Sequence, residues 1–181
     1  MSVMLLRFLA LIMLLIPLAA YSVTEPKNFN LGIGYHSLEL YNETDTYDGI
    51  VLRGASLSAA YMFSDNVALR GNYYSLNKND LISTDVGGTE ILACFGSGLA
   101  TRGGKWYFSG GYFREQWDSA TESNSFDGWQ LGGGFGFNWE SSSFDMLIQL
   151  RDVDDYDNHL GQSGAEIVTA GVLSLIFSAR F

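Results

Sequence analysis

The 181-residue sequence has little cysteine, little proline and little positive charge. Its one cysteine, Cys94, excludes an internal disulfide framework. Both prolines, Pro17 and Pro26, lie near the start, so no proline interrupts strand pairing later in the chain. The formal net charge is −10 at pH 7. This charge argues against a nucleic-acid partner, because phosphate binding needs a basic surface.

Residues 1–22 have the pattern of a secretory signal peptide. Arg7 precedes an apolar run from Phe8 to Ala20, which is shorter than the ~20 residues that a membrane-spanning helix needs. We predict cleavage after Ala20 or after Ser22, and one mature domain over residues 23–181. A retained membrane anchor is the competing interpretation.

Residues 23–181 contain no apolar run long enough for a transmembrane helix, but they are rich in glycine and aromatic residues. Apolar side chains recur there with period two, which is typical of strands. The alternation predicts eight strands, at residues 29–40, 51–63, 67–77, 89–101, 105–117, 128–139, 144–153 and 166–181.

Short and long connections alternate between these strands. The short ones are 64–66, 102–104 and 140–143, and the long, polar ones are 41–50, 78–88, 118–127 and 154–165. This order indicates an up-and-down meander with both termini at the short-turn end. The sequence therefore predicts an all-β fold, an eight-stranded antiparallel up-and-down transmembrane β-barrel.

The two faces of each predicted strand differ in size and polarity. In residues 128–139 one face carries Trp129, Leu131, Phe135, Phe137 and Trp139, and the other carries mostly glycine. Glycines make a poor solvent-exposed surface but fit a narrow lumen, so we expect the apolar face to contact lipid. A soluble, lipocalin-like binder would need the opposite sidedness.

Aromatic residues cluster on the apolar face beside the short turns. They predict a girdle at the periplasmic membrane interface, made of Tyr61, Phe63, Trp106, Trp139 and Phe144. A sparser second belt is expected at the long-loop end from Tyr73, Tyr112 and Trp129.

With these features the chain resembles the small eight-stranded outer-membrane barrels of Gram-negative bacteria, of the outer-membrane protein A, OmpX and opacity-protein type. The resemblance implies location in the outer membrane and a monomeric barrel. In that family the outer-membrane assembly machinery reads a terminal aromatic residue that follows alternating apolar residues. Phe181, Phe177 and Leu175 match this assembly signal, whereas Ala179 departs from it.

Charged residues of inward parity predict a polar network in the lumen, made of Arg70, Glu90, Glu115, Asp145 and Arg151. Buried charges are costly unless paired, so we expect them to pair with one another. Arg53 and Arg114 have outward parity near the outer rim. They either meet lipopolysaccharide phosphates, which arginine binds well, or lie where the strands have left the membrane.

The acidic loops are expected to be solvated and to hold no metal ion, and no cofactor is expected. Some eight-stranded barrels modify lipid A with a lipid-facing His and Ser two residues apart. His36 is followed two residues later by Leu38, and His159 by Gly161, so neither histidine fits. The sequence predicts a non-enzymatic outer-membrane protein with a role in envelope integrity, adhesion or host interaction. A lipid A-modifying enzyme and a narrow channel are the alternatives.

Overall fold

Each strand pairs antiparallel with its neighbours in the chain, and the last strand pairs with the first, so the computed structural model is a closed eight-stranded barrel. The predicted fold class is confirmed. The structure describes residues 25–42, 50–77, 85–118, 123–154, 156 and 167–181. The strands are β1 (Phe29–Asn42), β2 (Ile50–Met62), β3 (Val67–Asn77), β4 (Asp85–Ser97), β5 (Gly103–Asp118), β6 (Ser123–Asn138), β7 (Ser142–Arg151) and β8 (Ile167–Arg180).

Two strands begin earlier than the alternation predicts. β4 begins at Asp85 and ends at Ser97, and β6 begins at Ser123. Asp, Ser, Asn and Gly at these starts are typical of loops, but the ladders with β3 and β5 continue through them. The short turn after β4 consequently occupies residues 98–102, not 102–104 as predicted. The other predicted strand bounds are within two residues of the observed ones.

The predicted signal peptide with its cleavage site and much of the long connections lie outside the described residues. Within the described ranges, no helix is long and apolar enough to cross a bilayer.

The barrel interior is layered. At the long-loop end it holds an apolar and aromatic cluster that includes Phe113, Trp117 and Phe126. Near the short-turn end a second apolar cluster includes Met62, Leu92 and Leu147. Acidic and basic side chains lie between and beside these clusters, so the lumen contains apolar layers in addition to the predicted polar network.

Glycines on the inner face make room for large lumen side chains. A Cβ atom at Gly88 would overlap the ring of Tyr74, and one at Gly134 would overlap the ring of Tyr107. The row of inward glycines in β6 therefore fits a narrow, filled lumen.

Candidate functional site

The outer wall carries an apolar band around the barrel. Its side chains are among the most exposed in the protein, for example Ile33 at 67% and Leu131 at 72%. A water-soluble protein rarely exposes a contiguous apolar surface of this kind. The band is the surface of a barrel that spans a membrane, because only lipid can cover such a wall on all sides.

The predicted girdle residues lie on this outer wall beside the short turns. Tyr61, Phe63, Trp106, Trp139 and Phe144 are all exposed. Tyr61 and Phe63 form an edge-to-face pair with ring centroids 5.1 Å apart. At the other edge of the band, Tyr112 and Trp129 form an edge-to-face pair with ring centroids 5.5 Å apart, and Tyr73 is exposed. The apolar band thus has an aromatic rim at both edges.

The residues of the predicted assembly signal lie on the strand that closes the barrel. Phe181 exchanges backbone hydrogen bonds with Phe29, at 2.8 and 3.2 Å. Phe181 and Phe177 face outward, and Leu175 is partly buried on the same face. The last strand presents these side chains to lipid, while recognition by the assembly machinery stays a prediction.

The part of the lumen nearer the short turns holds one carboxylate between two cations, and we call this group the lower cluster. Asp145 lies 3.0 Å from an Arg70 guanidinium nitrogen and 2.8 Å from Lys105 Nζ. The Tyr107 hydroxyl donates to Asp145 at 3.0 Å, and Lys105 also donates to Ser143 Oγ at 2.6 Å. Arg70 and Asp145, two residues of the predicted lumen network, therefore form a three-charge group with Lys105, which the prediction did not include.

The part of the lumen nearer the long connections has the reverse stoichiometry, with one cation between two carboxylates. We call this group the upper cluster. Arg151 lies 2.8 Å from Glu115 and 3.3 Å from Glu90. Its guanidinium also donates to the Tyr74 hydroxyl at 3.0 Å and lies 4.4 Å from the ring centroid of Phe113. The structure thus brings together Glu90, Glu115 and Arg151, three of the five residues of the predicted lumen network.

Neutral donors satisfy the remaining carboxylate oxygens of the upper cluster. Glu115 accepts hydrogen bonds from Tyr74 at 2.8 Å, Trp117 at 2.7 Å and Tyr156 at 2.6 Å. Glu90 accepts from the amides of Asn72 and Gln130, at 2.6 and 2.8 Å. Such saturation lowers the free-energy cost of burying two carboxylates in one site.

Sequence reasoning misses several lumen residues for different reasons. Lys105 shares the inward parity of Tyr107, so the alternation could have found it. Tyr156 belongs to the connection after β7, where no period applies. It is fully buried, and its ring stacks on those of Phe113 and Phe126. This tyrosine covers the upper cluster from the long-loop end.

The turn at residues 98–102 folds under the barrel and closes the short-turn end. Leu99 and Ala100 are buried. The Asn138 amide donates to three carbonyl oxygens of the turn, at 2.8 to 3.1 Å, and Arg180 donates to the Ala100 carbonyl at 2.6 Å. Gly98 adopts a φ of 77°, which favours glycine. These contacts tie β6 and β8 to the turn that follows β4.

Asp65, in the turn between β2 and β3, holds the same closing turn from the other side. Its carboxylate accepts hydrogen bonds from the backbone N–H groups of Gly98, Ala100 and Thr101 and from the Thr101 hydroxyl, at 2.9 to 3.1 Å. Partial burial acts to raise the pKa of Asp65, but these hydrogen bonds outweigh it and hold the pKa below its ordinary value.

A histidine–serine contact exists in the lumen although the sequence spacing does not suggest one. Ser174 Oγ lies 2.9 Å from His36 Nδ1, because β1 and β8 pair these two residues. His36 also stacks on Tyr74, with ring centroids 4.2 Å apart. Both residues are fully buried inside the barrel. A lipid substrate on the outer wall cannot reach them, so the geometry does not support hydrolysis there.

The two outward arginines, Arg53 and Arg114, lie apart on the barrel. Arg53 of β2 pairs with Ser37 and Asn77, whereas Arg114 of β5 pairs with Thr89 and Asp127. Both side chains are exposed. They do not form one site.

Comparisons with known proteins agree with this geometry at the level of the fold. No protein-family model matches the chain, and no curated protein matches its sequence. The solved structure of the attachment invasion locus protein Ail of Yersinia pestis, in complex with the heparin analogue sucrose octasulfate, is similar with a TM-score of 0.62. It is 18% identical, and the match covers 86% of this chain and 99% of Ail.

Two further solved structures are similar to this chain. Neisserial surface protein A matches with a TM-score of 0.59 and 12% identity, over 84% of this chain and 97% of that protein. The N-terminal β-barrel domain of OprF from Pseudomonas aeruginosa matches with a TM-score of 0.52 and 14% identity, over 87% of this chain and 100% of that domain. The chain thus has the fold of the small eight-stranded outer-membrane β-barrel proteins, the architecture that its sequence resembles.

Proposed function

We propose that the chain is a non-enzymatic integral protein of the outer membrane whose barrel is a rigid support for surface contacts. The observation that carries this proposal is the combination of an apolar outer wall with a lumen filled by paired charges. A wall of this kind needs lipid, and a filled lumen resists deformation. The roles that fit are envelope integrity, adhesion and host interaction.

The charge of the long connections bears on the kind of surface partner. Ail, in its solved structure, holds a sulfated heparin analogue. Here the connections are rich in carboxylates, including Glu43, Asp45 and Asp48 after β1 and Asp155 and Asp157 after β7. They would repel a sulfated polyanion, so the proposed surface partner is cationic.

The two alternatives have less support. An enzyme acting on lipid A needs catalytic groups on the outer wall, whereas the His36–Ser174 contact is buried inside. A narrow channel needs a continuous path, whereas the cavity beside Arg70 and Lys105 measures about 10 Å³, room for about one water molecule. The barrel contacts lipid and lipopolysaccharide in this proposal, and acts as a monomer.

The experiment that tests the proposal compares cells that carry the protein, cells that lack it, and cells with a variant in which residues 43–49 and 157–166 are replaced by neutral linkers. We expect the protein in the outer-membrane fraction, with unheated samples migrating faster on a denaturing gel. Adhesion to a cationic surface should fall in the linker variant while envelope resistance to detergent stays unchanged.

Three results would contradict the proposal. Release of the folded protein in aqueous buffer would exclude a membrane barrel. An altered lipid A acyl pattern, or conductance above that of empty-detergent controls, would favour one of the alternatives.

A further inference from the structure

A groove of about 550 Å³ runs along the outer wall of β3 to β6. It lies on the long-loop side of the aromatic rim formed by Tyr73, Tyr112 and Trp129. Two rows of outward-facing positions form most of its lining, which also includes Gly88 and Glu115. The lower row is Tyr73, Thr89 and Arg114, and the upper row includes Gly87 and Gln116. Its far end is lined by Asp118, Ser123, Asn124 and Ser125.

The level of the groove relative to the membrane follows from the strand register. Arg114 lies two residues beyond Tyr112 on β5, and Tyr112 pairs with Trp129 in the aromatic rim. Two residues of a strand span about 7 Å. The groove therefore lies where lipid headgroups begin, and Tyr73 belongs both to the rim and to the groove.

The groove owes its depth to a missing side chain. A Cβ atom at Gly87 would have no neighbour within 4 Å, so glycine is not required there by packing. The neighbouring outward positions carry hydroxyl and amide groups. A larger residue at position 87 would fill the groove without disturbing the strands.

The charge distribution in the groove is uneven. Asp118 at the far end accepts hydrogen bonds from Gln116 at 3.2 Å and Ser123 at 2.7 Å. Arg114 is the cation in the groove, and it has no hydrogen bond or ion pair to another described residue. Asp127 lies opposite Arg114 in the register of β5 and β6.

From this arrangement we propose that the groove binds the phosphorylated sugar headgroup of an outer-leaflet glycolipid. Arg114 would hold the phosphate, hydroxyl and amide side chains would bind sugar hydroxyls, and the Tyr73 ring would pack against the sugar. Arg53 lies outside the groove and takes no part. This inference rests on the proposed outer-membrane function and assigns it one lipid-binding surface.

Two pairs of matched variants test the groove. Arg114→Gln removes the cation in the groove, and Arg53→Gln removes an exposed arginine outside it. Gly87→Leu fills the groove, and Gly104→Leu adds the same side chain at the short-turn end, where a Cβ atom also has no neighbour within 4 Å. Faster gel migration of unheated samples shows that each variant is folded.

The probes are rough-type lipopolysaccharide, the same lipopolysaccharide after dephosphorylation, and phosphatidic acid. Each is titrated into the full mature protein in detergent micelles, and native mass spectrometry measures the bound fraction. We expect one intact lipopolysaccharide per barrel. Arg114→Gln and dephosphorylation should each weaken binding about tenfold or more, as expected for a lost charge-assisted hydrogen bond. Gly87→Leu should weaken it similarly, and both control variants should bind like the wild type.

Equal losses in Arg114→Gln and Arg53→Gln would show a general charge effect and overturn the proposal. So would unchanged binding in Gly87→Leu. Phosphatidic acid binding as tightly as lipopolysaccharide would exclude recognition of the sugar. If the protein fractionates with the outer membrane but binds no lipopolysaccharide in the titration, the groove proposal alone is rejected and the proposed function stands.

Discussion

The two ion clusters of the lumen are built with opposite stoichiometry. The lower cluster has one carboxylate, Asp145, between Arg70 and Lys105, and the upper cluster has one guanidinium, Arg151, between Glu90 and Glu115. Each central residue compensates two like charges that would otherwise repel each other in a medium of low polarity. Loss of the central residue should therefore be far more harmful than loss of either outer one.

The clusters differ in how they can relieve an uncompensated charge. Two glutamates left without Arg151 can each take up a proton. In the lower cluster, Lys105 left without Asp145 can lose its proton, but Arg70 cannot do so under ordinary conditions. Acid should accordingly stabilise the upper cluster after its centre is removed. It should not stabilise the lower cluster, because it keeps both cations charged.

The largest expected effect is that of Arg151→Met. The substitution leaves two buried carboxylates without their cation and removes the hydrogen bonds that Arg151 donates to Gln130 and Tyr74. The free energy of unfolding should fall by about 3–5 kcal/mol. Urea titration of the barrel in lipid vesicles measures it, with the exposed Arg53→Met as the control.

The pH dependence of stability tests this prediction further. As the pH falls, protonation of the two orphaned glutamates should restore part of the lost stability in Arg151→Met relative to the wild type. A loss below 1 kcal/mol at neutral pH, or no relative recovery in acid, would contradict the proposed compensation.

Asp145→Asn should rank second. It leaves Arg70 and Lys105 without a counter-charge, but the asparagine carbonyl can still accept from Lys105 or Tyr107. We expect a loss of about 3 kcal/mol, at the lower end for a broken buried ion pair. The same urea titration should show no recovery in acid. Recovery equal to that of Arg151→Met would mean that the two clusters do not differ in the way described.

Tyr156→Phe probes the cover of the upper cluster and should have a smaller effect. It removes the hydroxyl that donates to Glu115 at 2.6 Å and keeps the stacked ring. Loss of a hydrogen bond to a charged group should reduce the free energy of unfolding by about 1.5–3 kcal/mol. Tyr41→Phe, which removes an exposed hydroxyl on the outer wall, is the matched control. Equal effects of the two substitutions would rule out a specific contribution of Tyr156.

Strict alternation predicted the barrel and the sidedness of its wall because parity in a strand is a local property. The same parity places Arg70, Asp145 and Arg151 inside without any knowledge of their partners. Distances between them depend on the register of non-neighbouring strands, which no local pattern encodes. For this reason the sequence foresees pairing in the lumen but not the role of Lys105.

Contacts made by connecting segments could not be predicted from the sequence for a different reason. Tyr156 enters the barrel from a connection, and Asp65 holds a turn more than thirty residues later in the chain. The stretch 98–104 is predicted as the end of a strand and a glycine turn, yet residues 98–102 fold inward and close the barrel. Side chains that bond to a turn from distant strands leave no periodic signal.

Asp65→Asn should have the smallest effect, because the carboxylate is partly exposed and water screens it. Since the hydrogen bonds from the closing turn lower the pKa of Asp65, its ionised form stabilises the folded barrel. This contribution should be fully present above the ordinary pKa of 3.8 and should be lost as the pH falls through the lower folded value. The wild type should therefore lose more stability than Asp65→Asn between pH 5 and pH 2, an interval set from the ordinary carboxyl pKa of about 4. Urea midpoints measured across that interval check the difference. Parallel pH profiles for the two proteins would show that the closing turn does not depend on the Asp65 charge.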